Sequence, residues 1–174
     1  MSTNTLAILP EIILTLVGVV VMLAEPCLAP NSNRKSLGWL AIAGTVASLV
    51  ASWYQLSIGV TLHAFSDTIQ VDAFSVLFHY VIGAILLVTL LGSLDYFEGR
   101  ASHAGEYFGL LCFGTVGMML MASSVELLMV FVGLEISSIS TYILCGFRFL
   151  EAGAPVEQTP NLIIAHVIVK EQLV

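Results

Sequence analysis

Five long apolar segments limit the folds open to this 174-residue chain. A helix needs about 20 apolar residues to cross the hydrocarbon core of a bilayer, with a range of about 17–25. Four of the segments reach that length, and the fourth in chain order reaches it when it extends to Ser123. We therefore expect five transmembrane helices, at residues 6–24, 37–58, 73–94, 107–122 and 127–147.

The composition excludes the main soluble classes. Hydrophobic residues make up 58% of the chain and charged residues only 10%, whereas a soluble domain has about 45–50% and about 25%. The net charge of −7 provides no basic surface for a nucleic acid. The apolar segments are continuous and about twice the length of the alternating strands of a membrane barrel. The sequence thus predicts an all-α, polytopic helix bundle formed by residues 1–150.

The last segment, residues 151–174, differs from the rest. Pro155 and Pro160 bracket a short polar stretch, and Asn161–Val169 is apolar but too short to span a bilayer. Lys170 then interrupts the apolar run. We interpret this part as a polar linker with a short apolar tail, which is either an interfacial segment or the truncated or frameshifted start of a sixth helix.

Basic residues predict the orientation. Arg34 and Lys35 lie in the first loop, Arg100 in the third, and Arg148 follows the fifth apolar segment, while the second and fourth loops hold no Lys or Arg. All four residues therefore fall on one side, which the positive-inside rule makes cytoplasmic. We expect a multi-pass inner-membrane protein whose N-terminus faces outward.

No enzyme-type site is evident in the chain. The cysteines Cys27, Cys112 and Cys145 are far apart and form no CxxC pair. A glycine-rich phosphate loop is also missing from the sequence. We therefore expect no catalytic residue, cofactor or metal in this chain.

One carboxylate stands out by its depth. Glu135 follows Glu126 by nine residues, which places it about 13 Å deeper along a helix. Ionisable residues near the bilayer midplane usually mark an ion or proton path, and Ser138 and Tyr142 share the helical face of Glu135. These three residues are our proton-pathway hypothesis. The alternative is a permanently protonated carboxyl that ties helices together, with hydroxyls that serve only packing.

Two further residues are secondary candidates. Glu126 lies at the mouth of the fifth helix, where a carboxylate also interacts favourably with the helix dipole. His79 lies about two turns into the third helix and is able to relay protons, although a histidine that only satisfies its hydrogen bonds is the simpler interpretation. Glu11, directly after Pro10, is interpreted as an N-terminal helix signal.

Two stretches, Leu9–Glu25 and Glu106–Arg148, resemble subunit N of the NADH-quinone oxidoreductase (respiratory complex I) family, within the wider family of antiporter-like proton-channel subunits. The specific part is a Met-rich helix, a short acidic turn, and GLE within an apolar run. Asp72–Ile82 and Leu94–Arg100 fit more loosely. The resemblance covers about residues 6–150.

The resemblance implies a membrane subunit of a proton-pumping oxidoreductase, with an outward N-terminus and the bilayer and other membrane subunits as partners. NADH and quinone would be handled elsewhere in the complex, and no nucleic acid is involved. Glu135 matches the family's fifth-helix glutamate, which pairs with a lysine on the seventh helix. Family members have about fourteen helices, and NLIIAHVIVKEQLV (residues 161–174) departs from their sixth-helix pattern. We therefore expect this chain alone to be an incomplete proton channel.

Two alternatives remain open. A subunit of a multisubunit cation/proton antiporter or of a membrane-bound hydrogenase would share the fifth-helix glutamate. A truncated structural or vestigial membrane protein would have no transport activity, and Glu135 would then only tie helices together.

Overall fold

The structure is a computed structural model that describes residues 3–28, 35–58, 61–94 and 103–151. Its helices are α1 (Thr3–Ala7), α2 (Leu9–Ala24), α3 (Lys35–Ser57), α4 (Ala73–Leu94), α5 (Ala104–Ser123) and α6 (Leu127–Glu151), with a 3-10 turn at Glu25–Cys27 and two short strands, β1 (Leu62–Ala64) and β2 (Ile69–Val71). Predictions on Arg34, Arg100 and residues 152–174 fall outside the described residues. The domain boundary at residue 150 and the outward N-terminus therefore stay predictions.

The predicted helix bundle is confirmed. Five helical segments of the described chain are long and apolar enough to cross a membrane: Leu9–Cys27, Lys35–Ser57, Ala73–Leu94, Ala104–Ser123 and Leu127–Gly146. The first apolar run does not form one helix from residue 6, because α1 ends at Ala7 and α2 begins at Leu9. Pro10 lies in the first turn of α2, a position where its missing N–H costs no helical hydrogen bond.

Helix α5 is the centre of the bundle and packs against α2, α3, α4 and α6. Its fully buried side chains Phe108, Cys112 and Met119 form the main core with residues of the surrounding helices, among them Leu14 and Leu90. Small residues permit such close helix packing within a membrane. Four glycines of α5 are buried, at positions 105, 109, 114 and 117.

Helices α5 and α6 meet backbone to backbone. A Cβ atom added to Gly117 would lie 2.5 Å from the carbonyl oxygen of Gly133 and 2.7 Å from the backbone nitrogen of Ser137. Much of the rest of α6 is uncovered within the described chain, as Leu127 (84% exposed) and Leu128 (71%) illustrate. One face of α6 is thus fastened to α5, and other faces are open.

The second loop contains regular structure that the apolar segments did not predict. Strands β1 and β2 pair antiparallel within it, with Leu62 opposite Val71. The apolar side chains of both strands are buried. The turn between them holds three residues with positive φ, Phe65, Ser66 and Asp67. The sequence signal for these strands is the short alternation of apolar and polar residues in LHA and IQV, which is much weaker than that of the long apolar runs.

The hairpin closes one end of the bundle. The backbone N–H of Val125 donates to the carbonyl oxygen of Thr68 (3.0 Å), and Ile69 forms a bridge with Ser124. The backbone N–H of Phe65 donates to Oδ1 of Asn4 (3.3 Å). The hairpin therefore connects α1 with the turn between α5 and α6. We refer to this end as the hairpin end.

The opposite end is held by a buried carboxylate. Oε2 of Glu25 accepts the backbone N–H groups of Gly105 (2.9 Å) and Glu106 (3.2 Å) at the start of α5. His103, which precedes α5, has a φ of 61° and provides no side-chain cap. A residue 80 positions away in the chain thus satisfies two N–H groups that a helix leaves unpaired at its start.

Candidate functional site: two carboxylates and a buried histidine

Glu135 is separated from the α5 contact by the geometry of its helix. It lies eight residues after Leu127, about 12 Å along α6. Gly133 and Ser137 face α5, and each is two positions from Glu135, which corresponds to about 200° around a helix of 3.6 residues per turn. The half-buried Glu135 is therefore on the face of α6 turned away from α5.

Ser138 and Tyr142 share that face, as the sequence predicted from their spacing. Ser138 is half-buried and Tyr142 is 37% exposed. Among the described residues, no hydrogen bond or ion pair reaches the Glu135 carboxyl. Two nearby hydroxyls act within the helix instead, because Ser140 donates to the carbonyl oxygen of Ile136 (2.9 Å) and Thr141 to that of Ser137 (2.8 Å).

Glu126 is at the hairpin end and is exposed. It immediately precedes α6, which is the fifth apolar helix of the sequence, and so lies at the mouth of that helix. Its carbonyl oxygen accepts the backbone N–H groups of Met129 and Val130, both at 3.1 Å. A carboxylate beside these first amides interacts favourably with the helix dipole.

His79 is fully buried where α2, α3, α4 and α5 meet. Its Nε2 atom lies 3.0 Å from Oγ of Ser123 and 3.3 Å from the carbonyl oxygen of Met119. On the other side of the ring, Nδ1 lies 3.4 Å from Oγ of Ser52. Both ring nitrogens therefore have polar neighbours.

Glu11 is the residue whose importance the sequence interpretation missed. The residue is only 4% exposed, and Oε1 lies 3.5 Å from Nε2 of His79. The spacing held a signal, because Glu11 lies on one helical stripe with the buried Leu14, Gly18 and Val21. That stripe would have placed Glu11 inside the bundle.

Polar side chains surround this pair. Ser52 donates to the carbonyl oxygen of Ser48 (3.2 Å), and Ser48 donates to that of Pro10 (3.0 Å). Neither carboxylate oxygen of Glu11 has a hydrogen-bond partner among the described residues. The 3.5 Å contact with His79 is thus an acid–base contact outside hydrogen-bond geometry. We call Glu11, Ser48, Ser52, His79 and Ser123 the Glu11–His79 cluster.

The chemistry open to this cluster is proton exchange. Within the described residues, no group of three His, Cys, Asp or Glu side chains is placed to hold a metal ion. A carboxyl beside an imidazole forms a neutral pair in two ways, with the proton on the carboxyl or on the ring.

Curated relatives show what the chain is similar to. It is 38% identical over 155 residues to NADH-quinone oxidoreductase subunit N 2 of Koribacter versatilis, covering 84% of this chain and 31% of that protein. Subunit N 1 of Solibacter usitatus is 36% identical over 144 residues, covering 83% and 29%. F(420)H(2) dehydrogenase subunit N of Methanosarcina mazei is 35% identical over 145 residues, covering 80% and 29%.

No family model matches the chain. The chain spans about three tenths of the length of these relatives. All three relatives are named as a subunit N, they come from separate organisms, and each match covers most of the present sequence. Over more than four fifths of its length, the chain is therefore a homologue of subunit N of the NADH-quinone oxidoreductases.

Proposed function

We propose that this chain works as a membrane component of a proton-pumping NADH-quinone oxidoreductase and contributes to proton translocation coupled to quinone reduction. The observation that carries the proposal is the 34–38% identity to subunits N over most of the chain. Five apolar helices of membrane-spanning length fit such a subunit. Its partners are the other membrane subunits of the complex, in an inner membrane, with the N-terminus outside.

The redox chemistry is proposed to lie elsewhere in the complex. This chain then binds neither NADH nor quinone and holds no redox group. The Methanosarcina relative is named for a different electron donor, F(420)H(2). A subunit family that occurs with two electron donors fits a role in proton movement better than a role in oxidising either one.

Glu135 is the proposed proton-binding residue of this part of the pathway. It is the only Asp, Glu, Lys or Arg between Leu127 and Gly146, and such residues within a membrane usually pair with one another or line a polar path. Its face of α6 is free of α5, so a cation from another helix has access to it. The resemblance to the subunit family supplies the partner type, a lysine.

Substitution in an assembled complex that carries this sequence tests the role. Glu135→Gln retains size and hydrogen bonding but does not titrate, so we expect proton translocation per quinone reduced to fall while assembly on native gels is unchanged. Glu135→Asp still titrates and should retain more activity. Glu126→Gln is the matched control, because Glu126 is exposed and water replaces the lost contact.

Wild-type proton translocation by the Glu135→Gln complex would reject the pathway role. A carboxyl that only ties helices together gives another pattern, in which Gln is tolerated and Ala reduces the amount of assembled complex before it reduces turnover.

A further inference from the structure

No hydrogen bond within the described chain compensates the burial of the Glu11 carboxyl. Buried polar groups in proteins are nearly always hydrogen-bonded, because an unpaired one costs free energy. Both carboxylate oxygens of Glu11 nevertheless lack a hydrogen-bond partner, in a residue that is 4% exposed. By contrast, the other buried carboxylate, Glu25, accepts two backbone N–H groups. A carboxyl group that is costly to bury, forms no hydrogen bond and lies 3.5 Å from an imidazole nitrogen points to a proton held between the two groups.

The neighbours of the Glu11–His79 pair offer no other group that binds a proton near neutral pH. Helix α3 contributes the hydroxyls of Ser48 and Ser52, and α5 contributes Ser123 and the carbonyl oxygen of Met119. None of these groups titrates near neutral pH. A proton that enters the cluster therefore rests on Glu11 or on His79.

A cavity at the protein surface lies close to the cluster, although no cluster residue lines it. A surface cavity of about 230 Å³ at the hairpin end is lined by residues that include Gln55, Asp72 and Val76. Gln55 lies one turn after Ser52 on α3, and Val76 lies one turn before His79 on α4. The cavity thus comes within one helical turn of the cluster, and Asp72 is one of its lining residues.

We propose that the Glu11–His79 cluster is a proton-exchange site through which protons pass between the interior of the subunit and the hairpin end; this rests on the proposed function. In the transfer, the bond between the proton and Oε1 of Glu11 breaks as a bond to an unprotonated Nε2 of His79 forms. The pair is neutral before and after, so no charge is stranded. Closing the 3.5 Å gap to hydrogen-bond length requires a side-chain movement of about 0.5 Å.

The test uses the assembled complex and measures the rate of proton translocation together with the rate of quinone reduction. Glu11→Gln and His79→Gln each remove one titrating group and retain hydrogen-bonding capacity. A positioned acid–base group contributes about 100-fold or more to a proton transfer, so we expect each variant to slow transfer through this end by about that factor. Glu25→Gln is the matched control, because its carboxylate caps a helix at the other end of the bundle, and translocation per assembled complex should be unchanged.

A second measurement does not depend on pumping. Infrared difference spectra should contain a carboxyl C=O band that moves in D₂O, is lost in Glu11→Gln and shifts in His79→Gln. Should Glu11→Gln assemble poorly, Glu11→Asp replaces it, and the band and the proton yield should then change together.

Wild-type translocation in both the Glu11 and the His79 variants would overturn the proposal. A carboxyl band whose position is unchanged in His79→Gln would also overturn it. Failure of the proposed function looks different. Wild-type pumping by Glu135→Gln with loss in Glu11→Gln would remove only the Glu135 role. A complex that pumps no protons would refute the proposed function, and the infrared band would still test proton exchange between Glu11 and His79.

Discussion

Replacing Gly117 with alanine should loosen the contact between α5 and α6. The new Cβ atom would lie 2.5 Å from the carbonyl oxygen of Gly133, about 0.9 Å short of the 3.4 Å at which ordinary contact begins. It would also lie 2.7 Å from the backbone nitrogen of Ser137. Both are backbone atoms of a helix, so no side chain is able to rotate away and α6 itself must move.

Two opposing effects set the magnitude. Overpacking of a close-packed interior typically costs about 1–3 kcal/mol. Alanine is favoured over glycine inside a helix by about 1 kcal/mol. A glycine in open space shows the second effect alone, and Gly92 has no atom within 4 Å of its added Cβ. We therefore expect Gly117→Ala to be less stable than Gly92→Ala by about 1–3 kcal/mol.

The assay is unfolding of the purified chain in detergent micelles by added dodecyl sulfate, followed by far-ultraviolet circular dichroism. Gly109→Ala adds a graded control on α5, because its Cβ would first meet Cγ of Met22, a flexible side chain, and should fall between the other two variants. Equal unfolding free energies for Gly117→Ala and Gly92→Ala would refute the inference that backbone contact fastens α6 to α5.

Two further predictions concern the hairpin end. The carboxylate of Asp72 accepts the backbone N–H of Ser75 (2.8 Å), and this hydrogen bond holds the pKa of Asp72 below its ordinary value of 3.8. The ionised carboxylate therefore stabilises the fold fully above pH 3.8, and this stabilisation is lost as the pH falls through the lower pKa of the folded state. Asp72→Ala should cost about 0.5–2 kcal/mol at neutral pH and should remove that acid-dependent part, which unfolding at a series of pH values measures against wild type. The second prediction concerns the orientation and uses a background without the natural cysteines. Ser66→Cys, in the turn of the hairpin, should react with an impermeant thiol reagent from outside, and Ser102→Cys only from inside. Labelling of Ser102→Cys from outside would reverse the predicted topology.

The membrane architecture was predictable because its cause is local. A bilayer requires about 20 apolar residues per helix and leaves a helix as the simplest way to pair every backbone group. Each of the five apolar runs therefore predicted its own helix without knowledge of the others. The position of Glu135 along α6 was predictable for the same reason, since it depends only on the rise of one helix.

The partners of each residue were decided by tertiary structure. Glu11 signals a helix start when it is considered alone, and it becomes half of a buried pair only because α4 brings His79 to within 3.5 Å. Glu25 caps a helix that begins 79 residues later in the chain. The position of Glu135 along α6 follows from its own helix, but its direction away from α5 depends on the contact between Gly117 and Gly133. Hydropathy and spacing act within one helix, whereas a carboxylate acquires its neighbours from other helices, so the sequence by itself determined the helices and only their packing decided which polar groups meet.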